Sequence, residues 1–173
     1  MLKNKTPIIP DVDLSDPSSD DFEALSRDRV PVRTMVESDL KSIVAIDKKI
    51  TGRDRTAYYK RKVDEVLKES GVRVSLVAEV DGEFAGFIMA RVDFGEFGRT
   101  AATAIIDTLG VSTGFARKNV GKALVSQLLA NLASLQVEKV RTEVEWNDFG
   151  LSTFLDRCGF RPSQRLSFSR RVA

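Results

Sequence analysis

The chain has 173 residues, 42% of them apolar, which is the length of one ordinary domain with enough sequence to bury a core. Histidine is absent, which excludes His-based triads, His general bases and nearly all zinc or facial-triad iron sites, so no metal is expected. The lone cysteine, Cys158, cannot close an internal disulfide and suits a reducing cytoplasm; the lack of a long apolar run argues against membrane insertion and secretion.

The 27 Lys+Arg and 25 Asp+Glu are unevenly placed. Residues 1–28 carry seven acids and three bases, a net of −4, and have no sustained apolar period. They read as a tail, disordered or draped over the surface. The remainder, 29–173, reads as one domain with net charge +6, a balance that favours anionic ligands.

From Val30 the pattern becomes regular. Val30–Met35 reads as a short strand. Glu37 or Ser38 opens a helix with Leu40, Ile43 and Val44 on one face, ending before Thr51-Gly52. A second helix runs from Arg55 to Ser70 and closes at Gly71. Its Lys60-Arg61-Lys62 run resembles a nucleic-acid patch, but a helix spreads three consecutive residues around its sides, which fits a solvated face. Arg73–Val80 and Glu83–Val92 alternate about Asp81-Gly82, a strong hairpin signal. Gly86 inside the second strand indicates a bulge or a close backbone approach. A loop at 93–99 leads to a long strand, Thr100–Val111.

After a polar loop, Val120, Leu124, Leu128 and Leu132 recur every four residues on a helix. A strand is expected at Val137–Trp146, with Val140, Thr142, Val144 and Trp146 on one face and Lys139, Arg141, Glu143 and Glu145 on the other. A helix over Phe149–Arg157 and a last strand, Gln164–Val172, complete the order β-α-α-β-β-β-α-β-α-β, which indicates one α/β or α+β domain. The last strand is a natural edge for pairing with a second copy, so a homodimer is an expectation.

The segment ending Asp107-Thr108-Leu109-Gly110-Val111 empties through a basic loop into Val120-Gly121-Lys122-Ala123-Leu124. The first helical N–H groups lack intrahelical partners and carry the positive end of the dipole, so they suit a phosphate, and Lys118 and Lys122 add charge. The spacing excludes two rival loops. Gly114 and Gly121 lie too far apart for a Walker A motif and Ala123 follows Lys122, while no G-x-G-x-x-G is present.

These residues resemble the GNAT acetyltransferase superfamily, over most of residues 30–172. The family's signature, Val-x-x-x-x-Arg/Gln-x-x-Gly-x-Gly/Ala, falls on Val111, Ala116, Asn119 and Gly121 with its spacing intact and two residues replaced. A second segment, Asn147 followed by Phe154-Leu155-Asp156-Arg157-Cys158-Gly159-Phe160, resembles the family's Asn-…-Phe-Tyr-Glu-Lys-x-Gly-Phe. The resemblance implies a central mixed, mostly antiparallel sheet, splayed between its fourth and fifth strands and flanked by helices. It also implies acetyl-CoA as cosubstrate. Backbone amides of Arg117, Lys118, Asn119, Val120, Gly121 and Lys122 would cradle the pyrophosphate, and backbone near Leu109, Gly110 and Val111 would pair with the pantetheine. Asn147 and Phe154 join the cofactor side. Asn119 suits a glycine position because Asn tolerates positive φ, and Arg117 or Lys118 stands in for the family residue replaced by Ala116.

The family's leaving-group acid is the tyrosine of that second segment, and Leu155, which cannot donate a proton, occupies its place. Tyr58 and Tyr59 are the substitutes, or else packing and lid residues. A CoA thiolate also leaves unaided, its pKa being modest. Asp107 shares an alternating face with Ile105, Leu109 and Val111; it is either the general base or an acid paired with a neighbouring cation. Glu143 and Glu145 are weaker candidates, and Cys158 reads as core packing, having no histidine to activate it. The expected activity is direct acetyl transfer from acetyl-CoA to a small-molecule or peptide amine, held between the helix pair at 38–70 and the cleft. Its alternative is a non-catalytic CoA-binding regulatory domain. No nucleic-acid or membrane partner is expected, and the acceptor has no readable motif.

Overall fold

In the computed structural model, residues 30–68, 73–93, 102–163 and 168–171 are described. In chain order they form β1 (Val32–Thr34), α1 (Leu40–Thr51), α2 (Thr56–Lys68), β2 (Arg73–Val80), β3 (Glu83–Asp93), β4 (Thr103–Val111), α3 (Val120–Ser134), β5 (Lys139–Arg141) and α4 (Phe149–Arg157). Asp81 and Gly82 both take positive φ, 54° and 78°, the backbone a two-residue hairpin turn demands. Among the described residues the sheet order is β1-β2-β3-β4-β5, antiparallel throughout except for the parallel β4–β5 pair.

The sheet is covered on both faces, which is why its inner strands are apolar on both sides. Val74, Leu76 and Ala78 of β2 and Ile88 and Ala90 of β3 pack with Val120, Leu124, Leu128 and Leu132 of α3. The intervening Val77, Phe87 and Met89 pack on the opposite face with Ile43, Ile46, Tyr59 and Val63 of α1 and α2. The stripe Leu40–Ile43–Ile46 therefore buries α1. An Asp39 carboxylate oxygen accepts the Val36 amide at 2.8 Å before the helix, and the Arg33 guanidinium forks onto both Asp39 oxygens at 2.8 Å. Gly52, at φ +68°, ends α1 by donating its amide to the Lys48 carbonyl at 2.9 Å.

Two register shifts interrupt the ladders on either side of β3. Ala78 and Glu79 of β2 pair with Gly86 and Phe84, leaving Ala85 as an extra residue beside Gly86. A Cβ on Gly86 would lie 2.9 Å from the Gly110 carbonyl oxygen, so the bulge and the close approach foreseen at Gly86 both occur. On the other edge Met89 pairs with Thr108 and Ala90 with Ile106, leaving Asp107 as the extra residue of a bulge in β4. This corrects the expected alternation. Ile105 pairs with Arg91, whereas Leu109 pairs with Ile88 on the α3 face, so the bulge puts Leu109 and Val111 on the opposite face from Ile105.

Besides β1, which is trimmed to Val32–Thr34, two of the expected strands depart from the sequence pattern. The strand over Val137–Trp146 is confined to Lys139–Arg141, because β5 has a ladder partner only along Thr103–Ile105. Val140, Thr142 and Val144 stay half-buried, but Trp146 is 94% exposed and not on a buried face. Phe168–Arg171, the described part of the expected last strand, form no strand and are exposed. The acidic segment 1–28, Ser70 and Gly71, most of the 93–99 loop and residues 164–167 and 172 of the expected last strand lie outside the described residues. No helix among the described residues is long and apolar enough to cross a membrane.

Asp39 and Asp47 set the acid limit of this fold. Burial alone would raise the Asp39 carboxyl, but the Arg33 and Val36 hydrogen bonds outweigh it and hold it below its ordinary value. The Arg55 guanidinium does the same for Asp47, against a smaller burial effect. A depressed carboxyl stabilises the fold above its unfolded pKa, roughly 3.9, and that stabilisation is lost as pH falls through the lower folded value. Urea titrations should show Asp39→Asn less stable by about 1–2 kcal/mol at pH 7. The gap from wild type should close below about pH 4.

Candidate functional site

Beyond Ile105 and Arg141 the parallel pairing of β4 and β5 ends, and the last link is the Thr142 hydroxyl donating to the Ile106 carbonyl at 3.2 Å. The strands part there around a cleft of about 260 Å³. Asp107, Leu109 and Gly110 of β4 line one wall, Thr142 and Glu143 the other, and Tyr58 and Tyr59 close it from α2. The expected catalytic residues and two of the expected cofactor residues thus meet in one place. Val111, Asn147, Phe154 and the loop residues 116–122 lie outside the cleft lining.

The loop after β4 turns through Thr113–Phe115 and then adopts positive φ twice, at Arg117 (65°) and Asn119 (61°). Asn119 thus adopts the left-handed backbone foreseen for it; Arg117 does so without any sequence signal. The first helical bond of α3 runs from the Ala123 amide to the Asn119 carbonyl, and Asn119 makes no side-chain cap. The amides of Val120, Gly121 and Lys122 therefore have no intrahelical acceptor. Ala116, Arg117, Lys118 and Asn119 are exposed, and Val120 is buried. A Cβ on Gly121 would approach the Phe154 ring at 3.1 Å, so glycine lets that ring lie against the start of α3. Asn147 is exposed in the turn before α4, whose first turn is capped by Asp148 accepting the Leu151 amide at 2.9 Å.

Asp107 is held on both oxygens, by the Arg91 guanidinium at 2.7 Å and the Lys62 ammonium at 3.2 Å. The acid-plus-cation arrangement foreseen as one alternative is therefore present inside the cleft. Lys62, foreseen on a solvated face, points inward, with its ammonium 5.9 Å from the Tyr58 ring centre, whereas Lys60 and Arg61 are exposed. Tyr59 is 1% exposed, packs edge-on against Phe87, and donates its hydroxyl to Asp47 at 2.9 Å. Burial, reinforced by that carboxylate, pushes the Tyr59 phenol far above its usual range. Tyr58 is half-buried and lines the cleft.

Leu155 faces the same cleft, and Cys158 is packed in the α3-side core, its thiol raised by burial. Glu143 lines the cleft from an exposed position, and Glu145 is exposed outside its lining. Sequence reasoning missed Asp47 and Arg55, which share the cleft wall through a two-pronged ion pair. The available signal was Asp47 four residues after Ile43, an acid on a buried helical stripe. Among the described residues no group of three or more Cys, Asp or Glu is placed to hold a metal ion.

The Acetyltransferase (GNAT) family model matches residues 40–160. No curated protein matches the chain. Among solved structures, the aminoglycoside N-acetyltransferase AAC(6')-Iy, in complex with the bisubstrate analog CoA-S-monomethyl-acetylneamine, superposes with a TM-score of 0.71 at 16% identity, over 83% of this chain and 99% of that one. Glucosamine-6-phosphate N-acetyltransferase from Arabidopsis thaliana gives 0.65 at 19% identity, over 83% and 99%. A transcriptional regulator from Bacillus halodurans C-125 gives 0.71 at 16%, over 83% and 99%. At these identities the likeness is one of fold.

The packing around the cleft predicts its most sensitive glycine. A Cβ on Gly110 would lie 2.6 Å from Phe87 Cε1 and 3.3 Å from Ile46 Cγ2. Gly110→Ala should therefore destabilise by about 1–3 kcal/mol, an overpacking cost. Gly114→Ala, where a Cβ meets nothing within 4 Å, should be near neutral in the same thermal melts.

Proposed function

The chain belongs to the GNAT acetyltransferase family, and on that premise we propose that it transfers an acetyl group from acetyl-CoA directly to an amine acceptor. The observation that carries the reading is the union of two features: a cleft opened where β4 leaves β5, and three amides without an intrahelical acceptor where β4's loop starts α3. A CoA molecule needs both. Its pantetheine amides require an unpaired strand edge, which Leu109–Val111 present on the side away from β3, and its phosphates require convergent donors. Backbone supplies both contacts, so replacements such as Ala116 and Asn119 need not abolish them. Phe154 and Asn147 belong to the cofactor side in this reading.

In the transfer, the neutral amine nitrogen attacks the thioester carbonyl, a C–N bond forms, and the C–S bond breaks as the oxyanion collapses. The amine loses a proton and the CoA thiolate gains one. The β4 bulge leaves Asp107 outside the β3 ladder, so local backbone can turn toward the carbonyl oxygen as it becomes negative. Tyr58 serves as proton donor to the thiolate, because the Tyr59 hydroxyl is committed to Asp47 and Leu155 has no proton to give. Asp107, carrying two cations, receives the departing proton through water or else orients the amine.

Leu155 at the family's tyrosine position favours a second reading, a CoA-binding domain without turnover. One assay separates them. Acetyl-CoA should raise the melting temperature in a concentration-dependent way, and CoA release with a panel of amines should follow for the enzyme. Binding without release on any acceptor supports the second reading; no binding at all sinks both. Gly121→Glu should weaken CoA binding by tenfold or more through bulk and like charge at the open amides. Tyr58→Phe and Asp107→Asn should each lower kcat by about 10²-fold or more if these residues move protons, while CoA affinity stays within about twofold.

A further inference from the structure

Arg55 stands one residue before α2 and lines the cleft. Its Nε donates to Asp47 Oδ2 at 2.9 Å and its Nη2 bonds Asp47 Oδ1. Asp47 is 5% exposed, and Tyr59 secures the same oxygen from α2. The guanidinium carbon lies 5.7 Å from the Tyr58 ring centre and 5.6 Å from that of Tyr59. One edge of the guanidinium is therefore fixed in place. The Nη1 end has no acceptor among the described residues, and 40% of the side chain remains exposed. Nη2 also donates to the Tyr59 hydroxyl at 3.4 Å, so the guanidinium is a pre-oriented donor with Nη1 as the end left without a protein acceptor among the described residues.

The surrounding charges narrow what it could bind. Asp47 and Asp107, the two sequestered carboxylates of the cleft, are both matched within the protein, by Arg55 and by Arg91 with Lys62. Lys62 also lies 4.0 Å from Glu65, which Arg61 approaches at 3.7 Å. Among the cleft's described lining, Glu143 is the remaining carboxylate, and it is exposed. A polycationic amine would meet one solvated acid here, the other two being matched already. An amine that also carries an anionic group would meet a guanidinium already held in position, so little side-chain entropy is lost on binding.

Resting on the acetyl-transfer reading, we propose that Arg55 is a specificity-determining residue: it receives a carboxylate or phosphate carried by the acceptor, and the substrate class is a small anionic or zwitterionic amine. Asp47 and Tyr59 are positioning residues that hold the fork. The anion binds Arg55 while the amine reaches the thioester, so discrimination appears in KM for the acceptor.

Matched acceptors test this at saturating acetyl-CoA: O-phosphoethanolamine against ethanolamine, β-alanine against its amide, and spermidine as the polycation. The anionic member of at least one pair should exceed its neutral twin about tenfold or more in kcat/KM; which pair responds identifies phosphate or carboxylate. Arg55→Lys should erase most of that preference through KM for the anionic twin. Arg61→Ala, on an exposed side of α2, should leave the preference intact. Should Arg55→Lys fail to fold, the double variant Asp47→Asn/Arg55→Gln replaces the ion pair by a neutral one and serves the same comparison. Should no acceptor turn over, calorimetry of the same twins on the CoA complex reads the preference directly. Equal twins, preferred spermidine, or a preference that survives loss of Arg55 would each overturn the proposal while leaving acetyl transfer standing. Failure of CoA itself to bind overturns the underlying reading and this one with it.

Discussion

Strand β4 is paired from end to end with β3 except at Asp107, and with β5 for three residues only. Between those two edges lies the bulge at Asp107, and a bulge bends the strand that carries it and sharpens its twist. The bend turns β4 away from β5 just past Ile105, so residues 108–111 keep their β3 partners and have none on the other edge. Backbone donors and acceptors left unpaired away from water are costly, and such an edge must meet solvent or another molecule. The cleft, the exposed Trp146 beyond it and the brevity of β5 are consequences of this one divergence.

The same divergence explains why the walls are fastened by charge. Helices α1 and α2 rest on one face of the sheet through Ile43, Ile46, Tyr59 and Val63, an apolar contact that fixes distance but little else. Two ion-pair clusters supply direction. Arg55, Asp47 and Tyr59 join α1 to α2, and Lys62, Asp107 and Arg91 join α2 to β4 and β3. Exposed pairs contribute little, but Asp47 and the Lys62–Asp107 pair are largely withdrawn from solvent. Removing one partner there would leave a charge uncompensated, so these clusters resist rearrangement more strongly than they stabilise the fold.

The elements legible in the sequence are those decided by local rules. Asp81-Gly82 specified its hairpin because few residues accept positive φ in succession, and the four-residue repeat from Val120 to Leu132 specified α3. Asn119 was readable at the loop for the same conformational reason. What escaped depends on partners distant in sequence. The alternation over Lys139–Val144 is real as burial, yet a ladder needs a neighbouring strand, and β4 has bent away by Ile106. An inserted bulge residue leaves no period of its own, so Asp107 was placed on the wrong face relative to Leu109. Asp47 and Arg55 are eight residues apart across a helix junction, a spacing that no periodic template marks.

The absence of histidine acquires its meaning from this geometry. No side chain of ordinary pKa then titrates between about pH 5 and 8, and the sequestered carboxylates are pinned by cations. For a thioester acceptor reaction this is no handicap, since the thiolate is a competent leaving group and the amine brings its own ionisation. On the proposed acetyl transfer, the demand on the protein becomes positional: hold the thioester on a free strand edge, hold the amine near it, and exclude the protonated form. With Asp47 already matched by Arg55, the cleft has no spare sequestered carboxylate for a simple cation, and on the proposal above the free end of Arg55 would favour amines that carry their own counter-charge. The acceptor's own amine, and not an imidazole, would then set the pH dependence of the rate.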